Sequence, residues 1–208
     1  SAFISREGRG ATNVTGIDSD ALIEPLGRMC DAVHAAAGLL AAQLLHSGST
    51  LRSVMVAEKE GPYGPSAEPV DPVCGAPVRA LTTAQIADVV ELYARAASRA
   101  RRAGFDAVQI HAAHGYLIDQ FLSPARNRRV DAYGGSLQRR ARLLYEVYEA
   151  VRAAVGHQPG VEQRAQGLDH RQAGAHGGFV AEQTAMCFRV ADRAVTRPVA
   201  AAGVFARR

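Results

Sequence analysis

The chain has 208 residues, 48% of them hydrophobic, and a formal net charge of +4; it can bury one sizeable core but is short of the roughly 250 residues typical of a complete eight-unit α/β barrel. No run of about 18 uncharged apolar residues is present, and Ser1 to Glu7 carry no signal-like apolar core, so a soluble cytoplasmic protein with no membrane span is expected. The basic excess is arginine scattered through alanine-rich sequence, with Lys59 the only lysine and no tryptophan, which argues against a nucleic-acid surface built from clustered basic and aromatic residues.

The first helical pattern runs from Ser19 to Ala37, with Leu22, Leu26, Met29, Val33 and Ala36 on one face, Asp18 or Ser19 as cap and Gly38 as stop. Leu39 to His46 then reads as a short buried strand with a polar end. From Ser47 to Arg79 the chain is rich in Gly, Pro and Ser, a loop long enough to serve as a lid or an active-site wall. A second helix opens at Thr82, with Gln85 three residues on as the partner in a capping box. Ile86, Val89, Val90, Tyr93 and Ala97 form its apolar face, and Gly104 stops it.

A strand from Phe105 to Ile110 follows, ending on His111, with His114 and Tyr116 just beyond. A third helix starts after Gly134-Gly135, with Ser136 as cap, and runs to Gly156. Beyond His157 the pattern weakens: Thr184 to Ala194 is expected to be helical and Val195 to Phe205 to hold a short strand. Residues 1–156 thus form the main unit, and 157–208 a diverged or poorly ordered tail with room for one further strand–helix unit.

Repetition of glycine, buried strand and terminal histidine predicts an α/β fold of (β/α)8 barrel type, incomplete, with about four strand–helix units. Parallel strands joined by helices put their ends on one rim, so Gln43, His46, His111 and His114 are expected to face a common site. Two imidazoles three residues apart can converge on a carbonyl oxygen and stabilise negative charge there, and the Tyr116 hydroxyl can deliver a proton nearby. The rival reading is a metal-dependent hydrolase using His46, His111 and His114, although no HxH pair or HExxH is present; no metal is expected. Gln43 is either a satisfied buried amide or a bidentate contact to a planar heterocycle. Asn127, Arg129, Asp131 and Tyr133 read as a loop-ordering network with Arg129 and Asp131 paired. Arg102, Arg139 and Arg140 are expected on solvated helix faces. Cys30, Cys74 and Cys187, odd in number and far apart, are expected to be buried as small apolar side chains.

The block His111-Ala-Ala-His114-Gly-Tyr116-Leu-Ile-Asp-Gln-Phe-Leu-Ser-Pro124, followed by Asn127-Arg-Arg129-Val-Asp131-Ala-Tyr133-Gly134-Gly135-Ser136, resembles the old yellow enzyme family of flavin oxidoreductases. It is most similar to the NADH:flavin oxidoreductase and dienoyl-CoA reductase branch. Asp31-Ala-Val-His34 with Gln43-Leu-Leu-His46-Ser-Gly48, and Arg101-Arg-Ala-Gly104-Phe105-Asp106, extend the likeness over about residues 1 to 156. The resemblance implies an FMN-containing barrel that takes hydride from NADH or NADPH and passes it to an activated alkene, an enone or enoyl thioester, as a small-molecule substrate. It implies that Gln43 binds the pyrimidine edge of the flavin, that His111 and His114 hold the substrate carbonyl oxygen, and that Tyr116 is the proton donor.

Gln109 stands where the family usually has glutamate, and Ser49 where arginine is common. The chain is expected to begin beyond the first two strands of the family's barrel. The arginine of the fifth strand has only Arg164 as a distant counterpart, and Gly177-Gly178-Phe179 with Glu182 resembles the next loop. Weak FMN retention is expected, and a truncated or non-catalytic member is the alternative to an active ene-reductase. A homo-oligomer is compatible with either.

Overall fold

The computed structural model describes residues 1–50, 62–71 and 74–156, together with the backbone of residues 185–189. A five-stranded sheet has the order β2-β1-β3-β6-β7, with β1 at Ala2–Phe3, β2 at Thr15–Gly16, β3 at Ala41–Leu45, β6 at Ala107–His111 and β7 at Ala185–Arg189. All its pairs are parallel except β6 with β7, which is antiparallel. A separate two-stranded ribbon joins β4, Tyr63–Gly64, to β5, Arg79–Ala80.

The helices cover one face of this sheet. Helix α1, Ile23–Ala35, follows a 3-10 turn whose cap, Ser19, accepts from the Ala21 amide at 3.3 Å. Helix α2, Thr83–Arg102, begins with the predicted capping box: the Thr82 hydroxyl accepts from the Gln85 amide, and the Gln85 side chain accepts from the Thr82 amide. Its buried stripe is Ile86, Val89, Tyr93, Ala96, Ala97 and Ala100, spaced three and four apart as one helical face requires. Three arginines in its last turn complement the negative end of the helix dipole. Helix α3, Leu117–Leu122, was not foreseen as a separate element.

The predicted third helix is divided into α4, Leu137–Arg140, and α5, Arg142–Val155, hinged at Ala141 (φ −79°, ψ −8°). Helix α5 packs its Leu144, Val147 and Val151 into the same core as the α2 stripe. Each such fully buried aliphatic side chain contributes about 1.5–3 kcal/mol of transfer free energy.

Strand parity assigns the two faces of the sheet. Ala42, Leu44, Val108 and Ile110 are buried in the helix-side core, while Gln43 and Gln109 are only half-buried on the other face. This is the layout of a barrel wall: helices outside, polar residues on the inner surface.

Two expectations need correcting. Within the segment expected to be helical, Ala185–Arg189 form an edge strand, antiparallel to β6. The open edge of β6 offers unpaired backbone groups, and an extended Ala-Met-Cys-Phe-Arg segment satisfies them. Arg140 does not lie free on a solvated face; its guanidinium donates to the carbonyls of Leu122 and Gly135. Arg102 holds the exposed helix position expected of it, and there it pairs at 2.7 Å with Asp20, which also binds Arg99. These two guanidiniums hold the Asp20 carboxyl below its ordinary value. The expected features at Arg164, Gly177 to Glu182 and Val195 to Phe205 lie outside the described residues, as does the side chain of Cys187. Cys30 and Cys74 are buried free thiols, as expected.

Candidate active site

Register builds the site. Gln43 lies opposite Gln109, and Leu44 opposite Ile110, so the inner-facing amides form one row and His111 stands two residues further along the same strand, about 7 Å on. The Gln43 amide donates to Gln109 Oε1 at 2.7 Å, and its Oε1 accepts from the Ser1 hydroxyl. Gln43 is thus neither sealed in the core nor satisfied by backbone. Gln109, read from sequence only as a departure from a family pattern, is its direct partner.

At the end of β6 the chain reverses in a tight turn. The Tyr116 amide donates to the Ala113 carbonyl at 3.2 Å, and the two central residues, His114 and Gly115, have φ of +61° and +71°. Positive φ at both positions defines a type I′ turn. It folds the His114 ring back onto His111, so that His114 Nδ1 lies 3.2 Å from His111 Nε2. The Tyr116 ring stands edge-on to His111, with centroids 4.8 Å apart, and 6.5 Å from His114. The structure therefore brings His111, His114 and Tyr116 into one group.

His111 is 7% exposed. Burial, followed by the nearby His114 charge, pushes its pKa down to about 4, so the ring is neutral at physiological pH. Its Nδ1 faces the Ala113 amide at 3.4 Å, which favours the tautomer with the proton on Nε2, directed at His114.

His46 does not join them. Its ring is wedged under the loop after β1, where a Cβ added at Gly8 would lie 2.6 Å from it, and its Nδ1 accepts from the Gly48 amide at 3.1 Å. His46 falls one residue past the inner-facing Leu45, so parity turns it to the other side. Without it the three-histidine metal reading loses a ligand, and no group of three or more His, Cys, Asp or Glu suited to a metal occurs among the described residues.

The Asn127 to Tyr133 segment is the ordering network expected. Arg129 forms a two-pronged pair with Asp131, at 3.0 and 2.5 Å, and donates to the Pro65 and Leu81 carbonyls at 2.9 and 2.6 Å. Asn127 bridges the Phe121 and Tyr133 carbonyls at 2.7 and 2.8 Å. These contacts fasten the β4–β5 ribbon to the segment beyond α3.

Two arrangements were not read from sequence. Arg126 reaches the Ser49 hydroxyl at 2.6 Å and pairs with the buried Asp71 and with Glu68, so a guanidinium occupies the neighbourhood of Ser49 after all, supplied from another segment. Gln120, a buried polar residue beside the apolar Leu117, Ile118 and Phe121, bonds the loop after β3 to Gly115. A lone amide among buried apolar neighbours was the available signal.

Comparisons with known proteins identify the family. The NADH:flavin oxidoreductase / NADH oxidase family matches residues 1–200. The chain is similar to the flavin oxidoreductase hxnT of Emericella nidulans, 40% identical over 160 residues covering 74% of this chain and 41% of that protein. It is also similar to an NADPH dehydrogenase of Bacillus velezensis, 41% identical over 150 residues, covering 72% and 42%. Among solved structures, the old yellow enzyme homologue from Zymomonas mobilis superposes with a TM-score of 0.69 at 40% identity, covering 74% of this chain and 45% of that one. Morphinone reductase in complex with tetrahydroNAD gives 0.70 at 38% identity, covering 75% and 47%. The chain spans less than half the length of each of these relatives.

Proposed function

Because this chain belongs to the NADH:flavin oxidoreductase / NADH oxidase family, whose members use FMN with NAD(P)H, we propose that it serves in an FMN-dependent reduction of an activated alkene. The observation that carries the reading is the convergence of His111 Nε2 and His114 Nδ1, 3.2 Å apart, beside the Tyr116 ring. Two nitrogens so placed can share one oxygen atom between them, each within hydrogen-bond reach.

The residues present suit the cofactor. Gln43 and Gln109 are half-buried amides, coupled at 2.7 Å on the inner face of the sheet; together they offer donors and acceptors to the edge of a planar heterocycle. Gln43, on β3, would hold that edge. When bound, FMN supplies the hydride that reaches the β-carbon of the alkene.

His111 and His114 polarise the conjugated carbonyl. Both donate to its oxygen, His111 through Nε2–H and His114 through Nδ1–H, a tautomer that the incoming acceptor selects. The pair thereby stabilises the charge that collects on oxygen as the double bond is reduced. His111 does this as a neutral donor, since burial holds its pKa near 4. Tyr116 donates its phenolic proton to the α-carbon and regains one from water. The substrate class is an enone or enoyl thioester, and NADH or NADPH is the reductant. A truncated, non-catalytic member finds less support, because the imidazole pair and phenol stand together.

The test separates the two half-reactions. In FMN-loaded protein, H111A and H114A are expected to lower the rate of enone reduction by about 100-fold or more and to leave NAD(P)H-dependent flavin bleaching nearly unchanged. Equal loss of both half-reactions would remove the assigned roles.

A further inference from the structure

We propose that Gln120 is a positioning residue for the imidazole pair: its amide pins the left-handed turn carrying His114 to the loop after β3 and so sets the spacing of the two ring nitrogens. This rests on the reading of His111 and His114 given above, though Gln120 itself touches neither ring.

The turn needs such a hold. A non-glycine residue with φ of +61°, as at His114, is uncommon and persists where its surroundings over-determine it. The peptide groups of the adjoining Gly115 are gripped on both sides. The Gly115 carbonyl accepts from Gln120 Nε2 and from the Thr50 hydroxyl, each at 2.6 Å, and the Gly115 amide donates to Asp119 Oδ2 at 2.7 Å.

Gln120 is placed to act as the common anchor. It is 2% exposed, and helix α3 delivers it, its backbone N–H donating to the Tyr116 carbonyl at 2.8 Å. Both ends of the side chain are in use. Oε1 accepts from the Ser49 amide at 3.2 Å, while Nε2 also faces the Ser47 carbonyl at 3.3 Å and the Thr50 hydroxyl at 3.2 Å. The loop approaches so closely that a Cβ on Gly48, itself at φ +63°, would sit 2.4 Å from Gln120 Oε1. One buried amide thus ties the end of β3, which leads out from the Gln43 row, to the turn that ends β6. Leucine would fill the same volume but leave the Gly115 carbonyl without this donor, freeing the turn to rotate.

The experiment compares wild type, Q120L and T50V as full chains; T50V removes the second donor to the Gly115 carbonyl, and with it one of the acceptors facing Gln120 Nε2, at a part-exposed position. The imidazoles of His111 and His114 are titrated by NMR without ligand, and FMN-loaded protein is assayed with 2-cyclohexen-1-one as probe. In Q120L the His111 midpoint is expected to rise by about half a pH unit or more toward the ordinary histidine value, because the His114 charge withdraws. Enone reduction is expected to fall about 10- to 100-fold relative to the NADPH half-reaction. T50V moves both readouts the same way by less, and it decides the matter if Q120L does not fold. Wild-type midpoints and wild-type enone reduction in a folded variant would overturn the proposal. Should H111A and H114A both keep full enone reduction, the underlying reading fails instead, and the titration midpoints alone still decide whether Gln120 sets the spacing.

Discussion

At the scale of single residues, the His111 ring links stability to pH. An exposed histidine in the unfolded chain takes up its proton near 6.5, whereas burial and the His114 charge hold the folded ring neutral down to about 4. Between those values the unfolded state binds the proton that the folded state refuses, so stability falls as pH drops through this window and levels off below it. Urea midpoints measured from pH 7 to 4 should therefore decline, and H111Q should flatten the part of the decline that belongs to this ring. An H111Q profile parallel to wild type would show that the ring does not carry it. Tyr133 illustrates the complementary case. Its buried ring packs beside Phe121, the Arg142 guanidinium lies 4.9 Å from the ring centroid, and its hydroxyl donates to Glu146 at 2.9 Å. Burial and that carboxylate both push the phenol's pKa up, which suits a structural tyrosine.

At the scale of elements, two glycines show how one residue type answers different demands. Gly27 lies inside α1, where an added Cβ would meet only the Ala103 carbonyl at 3.5 Å, an ordinary contact. G27A should stabilise the protein by about 0.5–1 kcal/mol through lower backbone entropy in the unfolded chain. Gly134 sits where the chain returns against Arg129, and a Cβ there would lie 2.0 Å from that residue's carbonyl oxygen. G134A should cost about 2–4 kcal/mol, because backbone rather than a pliable side chain must yield. Thermal melts of the two variants should shift in opposite directions; a neutral G134A would mean that the Arg129 segment is free to move.

At the scale of the whole molecule, the described sheet is open: it ends on β2 at one edge and on the antiparallel β7 at the other. No helix among the described residues is long and apolar enough to cross a membrane. A ring lying on the row of Gln43 and Gln109 would be covered by this sheet from one side, whereas tight cofactor sites bury about 70–90% of their ligand. Held against the described sheet alone, FMN should bind reversibly, as read from quenching of its fluorescence. A stoichiometric yellow complex that survives gel filtration would contradict this.

What could be read from the residues alone follows from local physics. Helix α2 announced itself because caps and apolar stripes act within a few residues: Thr82 with Gln85 at its start, and Ile86, Val89, Tyr93 and Ala97 along it. The His111, His114 and Tyr116 group was legible for the same reason, since one strand and one tight turn hold all three. Long-range placement depended on the fold. Whether Gln43 would meet Gln109 depended on strand register, and the turning of His46 beneath Gly8 on parity past the strand end. Arg126 at the Ser49 hydroxyl and Gln120 at the Ser49 amide join segments seventy-seven and seventy-one positions apart. The antiparallel docking of β7 on β6 depended on which strand edge lay open. Periodicity says which face of an element is apolar, but only the packed chain decides what that face, or the polar one opposite, will meet.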